Sequence, residues 1–231
     1  MKGGEKNVSQ FEYDEYTFRL TRTSASPNQS NPMHALYAYE NDQLIQIQTP
    51  KTTYHFGYTA WGQRETVKIG NSTLAAYHYS SDADRNLIQL DYGNGDVVKY
   101  EYDHLGRVTQ ESYYESGAQA PSRTVTYSYD SNGALVTTSD SKTDRTTKCY
   151  YDTVGRVSRQ RTTDISASHN LYFTYDALGQ ITQVRETYKP SENASTEENL
   201  TEYSYANGRV ISVHNDGSTP LDDSDDSYVY Y

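Results

Sequence analysis

Apolar and polar residues alternate with a period of two in short runs along most of the chain. Tyr37-Ala-Tyr39, Tyr77-His-Tyr79, Tyr100-Glu-Tyr102, Tyr127-Ser-Tyr129 and Tyr203-Ser-Tyr205 are the clearest cases. A period of two belongs to a β-strand and puts both tyrosines of a pair on one face, where successive strands can stack them into ladders. Each run stops at a cluster of Asp, Asn and Gly, and a return run opens on residues such as Val108 and Val157. No stretch sustains a helical period. The pattern predicts an all-β protein of consecutive antiparallel hairpins.

Aligned on one tyrosine, the hairpins are copies of a single unit. Tyr102-Asp103-His-Leu-Gly106-Arg-Val, Tyr151-Asp152-Thr-Val-Gly155-Arg-Val and Tyr175-Asp176-Ala-Leu-Gly179-Gln-Ile are the fullest. Tyr129-Asp130-Ser-Asn-Gly133-Ala-Leu and Tyr58-Thr-Ala-Trp-Gly62-Gln-Arg follow the same frame. Tyr205-Ala-Asn-Gly208-Arg-Val and Tyr39-Glu-Asn-Asp-Gln-Leu are one residue shorter, and weaker copies begin at Tyr13 and Tyr79. The nine anchors stand 19 to 30 residues apart, so a constant hairpin alternates with connections of variable length. Within the unit Asp holds the first position of a type I turn, and Gly the left-handed residue that follows it.

Three further expectations come from these positions. Asn94-Gly95, between Leu90-Asp-Tyr and Asp96-Val97, predicts a second kind of hairpin turn. Leu105, Val154, Leu178 and Trp61 share the third turn position and are apolar, so the turn tips are expected to be covered by a neighbouring coil or loop. Segments 23–34, 115–124, 189–200 and 215–227, rich in Pro, Ser, Asn and Gly, read as loops, the last two mobile. Residues 1–10 read as a disordered or cloning-derived start, and 11–231 as the repeat segment.

Composition makes the picture sharper. Only 34% of the 231 residues are hydrophobic even with tyrosine counted, which alone resembles a disordered chain. Twenty-five tyrosines argue otherwise, since tyrosine favours strands and buries a large ring while its hydroxyl stays in water. A thin core of Tyr-x-Tyr packing pairs is expected. The net charge of −11 argues against nucleic acid and anionic membrane surfaces as partners, and no apolar run is long enough to span a bilayer. The single cysteine, Cys149, allows no intramolecular disulfide and reads as a small buried hydrophobe.

Repeated Tyr-Asp-x-x-Gly-Arg-hydrophobic units, together with the Asn94-Gly95 segment leading into Tyr100-Glu-Tyr102-Asp103, resemble the RHS/YD-repeat proteins from about Phe11 to Tyr231. That resemblance implies a β-ribbon wound into a curved, spiralling sheet, part of a hollow shell that can enclose a C-terminal toxin or effector domain. It implies secretion or display at the cell surface, with the rest of the same polypeptide as partner, both further repeats and the enclosed domain. Family shells often end in an Asp-Pro-x-Gly self-cleavage motif, and no Asp-Pro pair occurs here. The run Tyr228-Val-Tyr-Tyr231 stands at the start of a further repeat, so a stretch of a longer polypeptide is expected, with weak edge-to-edge self-association through this end strand.

Little else in the sequence carries chemistry. Asp82-Ala-Asp84-Arg-Asn86 opens like a calcium loop, but Leu87 follows where Gly is needed and no acidic residue closes it; a lengthened turn accounts for it. The acidic run 222–226 reads as a solvated loop. The repeat aspartates are explained by turns, and the six histidines show no ligand spacing. No catalytic, metal or cofactor site is expected. A saccharide is the one small-molecule class the aromatic ladders fit, which gives the alternative of a carbohydrate-binding or adhesive module of a wall-associated protein.

Overall fold

The computed structural model describes residues 9–25, 33–216 and 227–230. The chain divides into two compact units, residues 1–100 with 113–121, and residues 101–112 with 122–231. The first holds β1 (Ser9–Tyr13), β2 (Leu20–Ala25), β3 (Met33–Glu40), β4 (Gln43–Gln48), β5 (Thr53–Tyr58), β6 (Arg64–Ile69), β7 (Ser72–Tyr79) and β8 (Leu87–Tyr92). The strands β9 (Val97–Tyr102) and β10 (Val108–Tyr114) contribute residues to both. The second holds β11 (Arg123–Tyr129), β12 (Leu135–Asp140), β13 (Arg145–Tyr151), β14 (Val157–Thr163), β15 (Ser168–Tyr175), β16 (Ile181–Lys189), β17 (Glu197–Ala206), β18 (Arg209–Asn215) and β19 (Ser227–Tyr230).

From β1 to β9, and again from β11 to β19, each strand pairs antiparallel with the next in sequence. No helix occurs among the described residues. This is the all-β architecture of consecutive hairpins that the period of two predicts. The pairing also carries a recurring irregularity. In β11–β12 the register steps from Ser128↔Thr137 to Tyr129↔Leu135, so the return strand carries one extra residue, Val136. The same step falls immediately before Tyr13, Tyr39, Tyr58, Tyr79, Tyr151, Tyr175 and Tyr205. A bulge of this kind accompanies a type I turn closed by a left-handed residue. Gly106, Gly133, Gly155 and Gly179 supply that residue, with φ of 75°, 87°, 86° and 83°.

The Asn94-Gly95 segment is not a second kind of turn. The Gly95 amide donates to the Tyr92 carbonyl and the Tyr92 amide to the Asp96 carbonyl, the pattern that Gly106, Asp103 and Arg107 make. Asn94 keeps negative φ, because Gly95 alone meets the left-handed requirement. Two-residue turns occur instead at Asn41-Asp42 and Asn207-Gly208, the two shortened copies, where both central residues have positive φ. The expected loops are shorter than read. Residues 23–25 and 33–34 belong to β2 and β3, 123–124 to β11, Lys189 to β16, 197–200 to β17, Asn215 to β18 and Ser227 to β19. Strand pairing across each hairpin outweighs local turn composition there. Likewise β1 begins at Ser9, inside the stretch read as a disordered start; residues 1–8 and the acidic run 222–226 lie outside the described residues.

The core is thin. Among the described residues only Leu90, Val98 and Val125 are buried hydrophobics. A Cβ at Gly106 or Gly155 would meet nothing within 4 Å, so substitution there is resisted by backbone conformation alone. Gly106→Val and Gly155→Val are each expected to lower unfolding free energy by about 1–3 kcal/mol. Gly106→Asn, which tolerates the left-handed region, is expected to lose far less. Urea midpoints with an unchanged m-value measure both.

Candidate functional site

The repeat unit itself is the most developed constellation in the molecule. Its turn is held by the aspartate. Asp103 Oδ1 accepts from the amides of Leu105 and Arg107 at 2.9 and 3.0 Å, while Oδ2 accepts from Arg107 Nε at 2.7 Å. Asp152 repeats this with Val154 and Arg156 at 3.0 and 2.9 Å, and again with Arg156 Nε at 2.7 Å. Asp130 and Asp176 hold the same two amides without an arginine, since Ala134 and Gln180 stand in its place. At Thr59 a hydroxyl takes over with longer bonds of 3.3 and 3.2 Å. The Arg107 side chain is the leading cause that holds the Asp103 carboxyl below its ordinary value; at Asp152 the Arg156 amide leads, followed by its side chain.

In six copies the tyrosine that opens the unit fastens it to the unit before. Tyr129 donates its hydroxyl to the Val108 carbonyl at 2.8 Å, Tyr151 to Leu135 at 2.7 Å, Tyr175 to Val157 at 2.7 Å and Tyr205 to Ile181 at 2.8 Å. In the first unit Tyr58 donates to Leu44 at 2.8 Å and Tyr79 to Arg64 at 2.7 Å. Each acceptor is the residue that opens a return strand, at or one place after its first residue. The expectation that these hydroxyls stay in water is therefore corrected: they are spent on peptide carbonyls. Arginine finishes the joint. Arg107, already bonded to its own Asp103, lies 4.3 Å above the Tyr129 ring, and Arg156, bonded to Asp152, lies 4.5 Å above Tyr175. A cation over a ring face adds electrostatic attraction. One side chain thus braces its own turn and covers the next tyrosine.

The remaining repeat positions fall as the alternation requires. Tyr100, Tyr102, Tyr127, Tyr129, Tyr203 and Tyr205 are half-buried, and the residue between each pair is exposed. The pairs are half-buried rather than deeply buried packing residues, because among the described residues little packs on the sheet face that carries them. Burial pushes the Tyr102 and Tyr127 hydroxyls above the ordinary tyrosine value, with Glu111 adding to it. The turn tips are also open: Leu105, Val154, Leu178 and Trp61 are 63%, 70%, 85% and 68% exposed. Among the described residues no coil covers them, although the Arg85 guanidinium stacks 3.7 Å from the Trp61 ring. Asp82 is a turn cap, accepting from the Ser80 hydroxyl at 2.6 Å and the amides of Asp84 and Arg85 at 3.1 Å. Burial raises the Cys149 thiol, which disfavours the reactive thiolate. Sequence reasoning missed the carbonyl acceptors, whose side chains give no sign of the role, and the reach of Arg107 and Arg156 into the next unit.

Tyr129→Phe and Tyr151→Phe each strand a carbonyl that had a partner. Each is expected to lower stability by about 1 kcal/mol in urea denaturation, and Tyr129→Ala by about 2 kcal/mol or more, since the half-buried ring is lost as well. The turn aspartates set the response to acid. A depressed folded-state pKa contributes stability above the unfolded value of about 3.9 and loses it as pH falls through the folded value. Melting temperature is expected to hold down to about pH 4 and drop below it, and Asp103→Asn with Asp152→Asn to make that drop shallower.

No family model matches the chain. In sequence it is 30% identical over 151 residues to teneurin-4 of Mus musculus, which covers 63% of this chain and 5% of that protein. It is 27% identical over 161 residues to teneurin-1 of Homo sapiens, covering 67% and 6%. The chain therefore spans about one twentieth of the length of the curated relatives it matches. In structure it superposes over 97% of its length on 15% of a chain of the Photorhabdus luminescens Tc holotoxin pore, with TM-score 0.64 and 11% identity. The crystal structure of TcdB2-TccC3-Cdc42 gives the same coverage, with TM-score 0.56 and 12% identity. The Tyr-Asp-x-x-Gly-Arg unit is thus repeated, six copies are pinned through their tyrosines to the one before, and the chain is similar to teneurins in sequence and shares its fold with part of the Tc assembly.

Proposed function

We propose that this chain is a non-catalytic wall segment of a secreted or cell-surface RHS/YD-repeat protein, whose β-shell encloses a C-terminal toxin or effector domain of the same polypeptide. The observation that carries the reading is that the motif side chains are spent on one another. In the fullest copies the tyrosine holds the previous hairpin, the aspartate its own turn, the glycine the left-handed residue, and the arginine both its turn and the next ring. A unit so committed serves construction: its aspartate, tyrosine and most of its arginine donors are bonded within the joint, and Arg107 Nη1, without a hydrogen-bond partner, is buried and out of a substrate's reach.

A carbohydrate-binding or adhesive repeat would need its ladder rings open to solvent. Here the ladder tyrosines are half-buried, and Tyr129 and Tyr175 carry arginines on their faces, which favours the wall. The end strand β19, with Tyr228, Val229 and Tyr230 exposed, offers an edge for weak self-association that salt strengthens by screening the acidic charge.

The test uses the longest polypeptide that carries this segment. The domain following the repeats is expected to resist protease in the intact protein, and to become cleavable when Tyr129, Tyr151 and Tyr175 are all changed to Phe. Equal cleavage of both proteins, or a catalytic activity that resides in residues 9–230, would overturn the reading.

A further inference from the structure

In the second unit, the face of β13–β16 that turns away from Tyr151 and Tyr175 carries a basic patch on an acidic chain. Tyr150 pairs with Arg159, Arg159 with Tyr172, and Tyr172 with Arg185, so these four form a row across the strands. Lys148 pairs with Arg161, and each stands two residues from a member of that row, on the same face.

The charge on this face is unbalanced. Lys148 and Arg161 are exposed and stand directly opposite each other, an arrangement that costs stability when the charges are alike. Neither makes an ion pair or a side-chain hydrogen bond among the described residues. On this face Arg161 is bordered by Lys148, Asn170, Arg159 and Thr163, and no carboxylate is among them. Arg159 donates through Nη2 to Asn170 Oδ1 at 2.8 Å. Only Arg185, at the far end of the row, meets an acid, Glu198, at 3.3 Å. The tyrosines hold the guanidiniums in place. Arg159 lies 5.2 Å from the Tyr150 ring and 5.1 Å from that of Tyr172, and Arg185 flanks Tyr172 from the next strand at 4.1 Å. Lys148, Arg159 and Arg161 therefore gather with no anion between them, on a chain of net charge −11.

We propose that this face binds an acidic peptide segment, laid in extended form along β14. Alternate residues of an extended peptide point the same way about 6–7 Å apart, which is also the spacing of Arg159 and Arg161 along their own strand. One carboxylate meets Arg161 and Lys148 together and relieves their repulsion, and the next on the same side reaches Arg159. Nucleic acid fits less well. Bases stack on open ring faces, and the Tyr172 ring is already flanked by two arginines. A phosphate backbone also runs past the patch into the field of the acidic remainder, whereas a short peptide ends within it. The proposal does not rest on the wall reading, because none of these residues belongs to the repeat motif.

The test is an amide chemical-shift titration of the full chain with hexa-aspartate, with a short thymidine oligonucleotide and sodium phosphate as further arms. Hexa-aspartate is expected to shift the amides of residues 148, 159–161 and 172. Its affinity is expected to fall steeply between about 0.05 and 0.3 M salt, the opposite of edge association through β19. Lys148→Glu sets opposite charges across the strands, so it is expected to raise the melting temperature while weakening the peptide about tenfold or more. Arg161→Gln is expected to weaken it about fivefold without lowering the melting temperature. The proposal fails if hexa-aspartate leaves these amides unmoved or if binding survives both substitutions. It fails equally if the oligonucleotide binds more tightly than the peptide, or if phosphate alone gives the same shifts at the same concentration.

Discussion

A tyrosine hydroxyl donating to a peptide carbonyl one hairpin away is the bond on which the rest of this fold depends. A neutral hydrogen bond contributes on the order of 1 kcal/mol net, while a carbonyl left without a partner out of water costs about 1–3 kcal/mol. Its larger effect is geometric. Sliding one hairpin against the next by a single residue would turn the phenol to the other face and strand both partners, so the bond fixes register as well as adding stability. In two copies an arginine lies over the ring of the tyrosine that donates, adding a cation–π attraction to the same joint.

Such bonding explains how a chain with three buried hydrophobic residues among those described can hold a defined structure. Burial is spread thinly, and six hairpins are each fastened to the neighbour before them in sequence by the same joint. Free energy in such a system is close to a sum of repeat terms and nearest-neighbour terms, with no single centre whose loss unfolds the whole. The hydrophilic composition follows. Tyrosine supplies area and a donor at once, so leucine and isoleucine are needed less.

Much of this was legible in the sequence, and the misses share a cause. The strands and the left-handed glycines were legible because alternation and turn chemistry act within a few residues. The partner of Tyr129 was not, since it is the backbone of Val108, and a carbonyl has no residue-specific signature. The turn tips misled because Leu105 and Val154 look like packing residues, whereas nothing described packs on them. Asn94-Gly95 misled because one glycine placed three residues after Tyr92 satisfies the longer turn on its own. For the basic patch, residues as distant as Lys148 and Arg185 meet only through the register of four strands.

The two ends of the hairpins are under unequal discipline. Where the motif turns lie, the bulge, the aspartate cap and the phenol joint confine the stretch between the opening tyrosine and its cross-strand partner to between four and seven residues. At the opposite ends the strands are joined by stretches as different as Gly70-Asn71 and residues 190–196, and none of these takes part in the joint. Insertions there leave the next tyrosine free to find its carbonyl, which is why the anchors drift from 19 to 30 residues apart without losing phase. Evolution can therefore write new surface along one margin of the sheet while the other keeps the molecule in step.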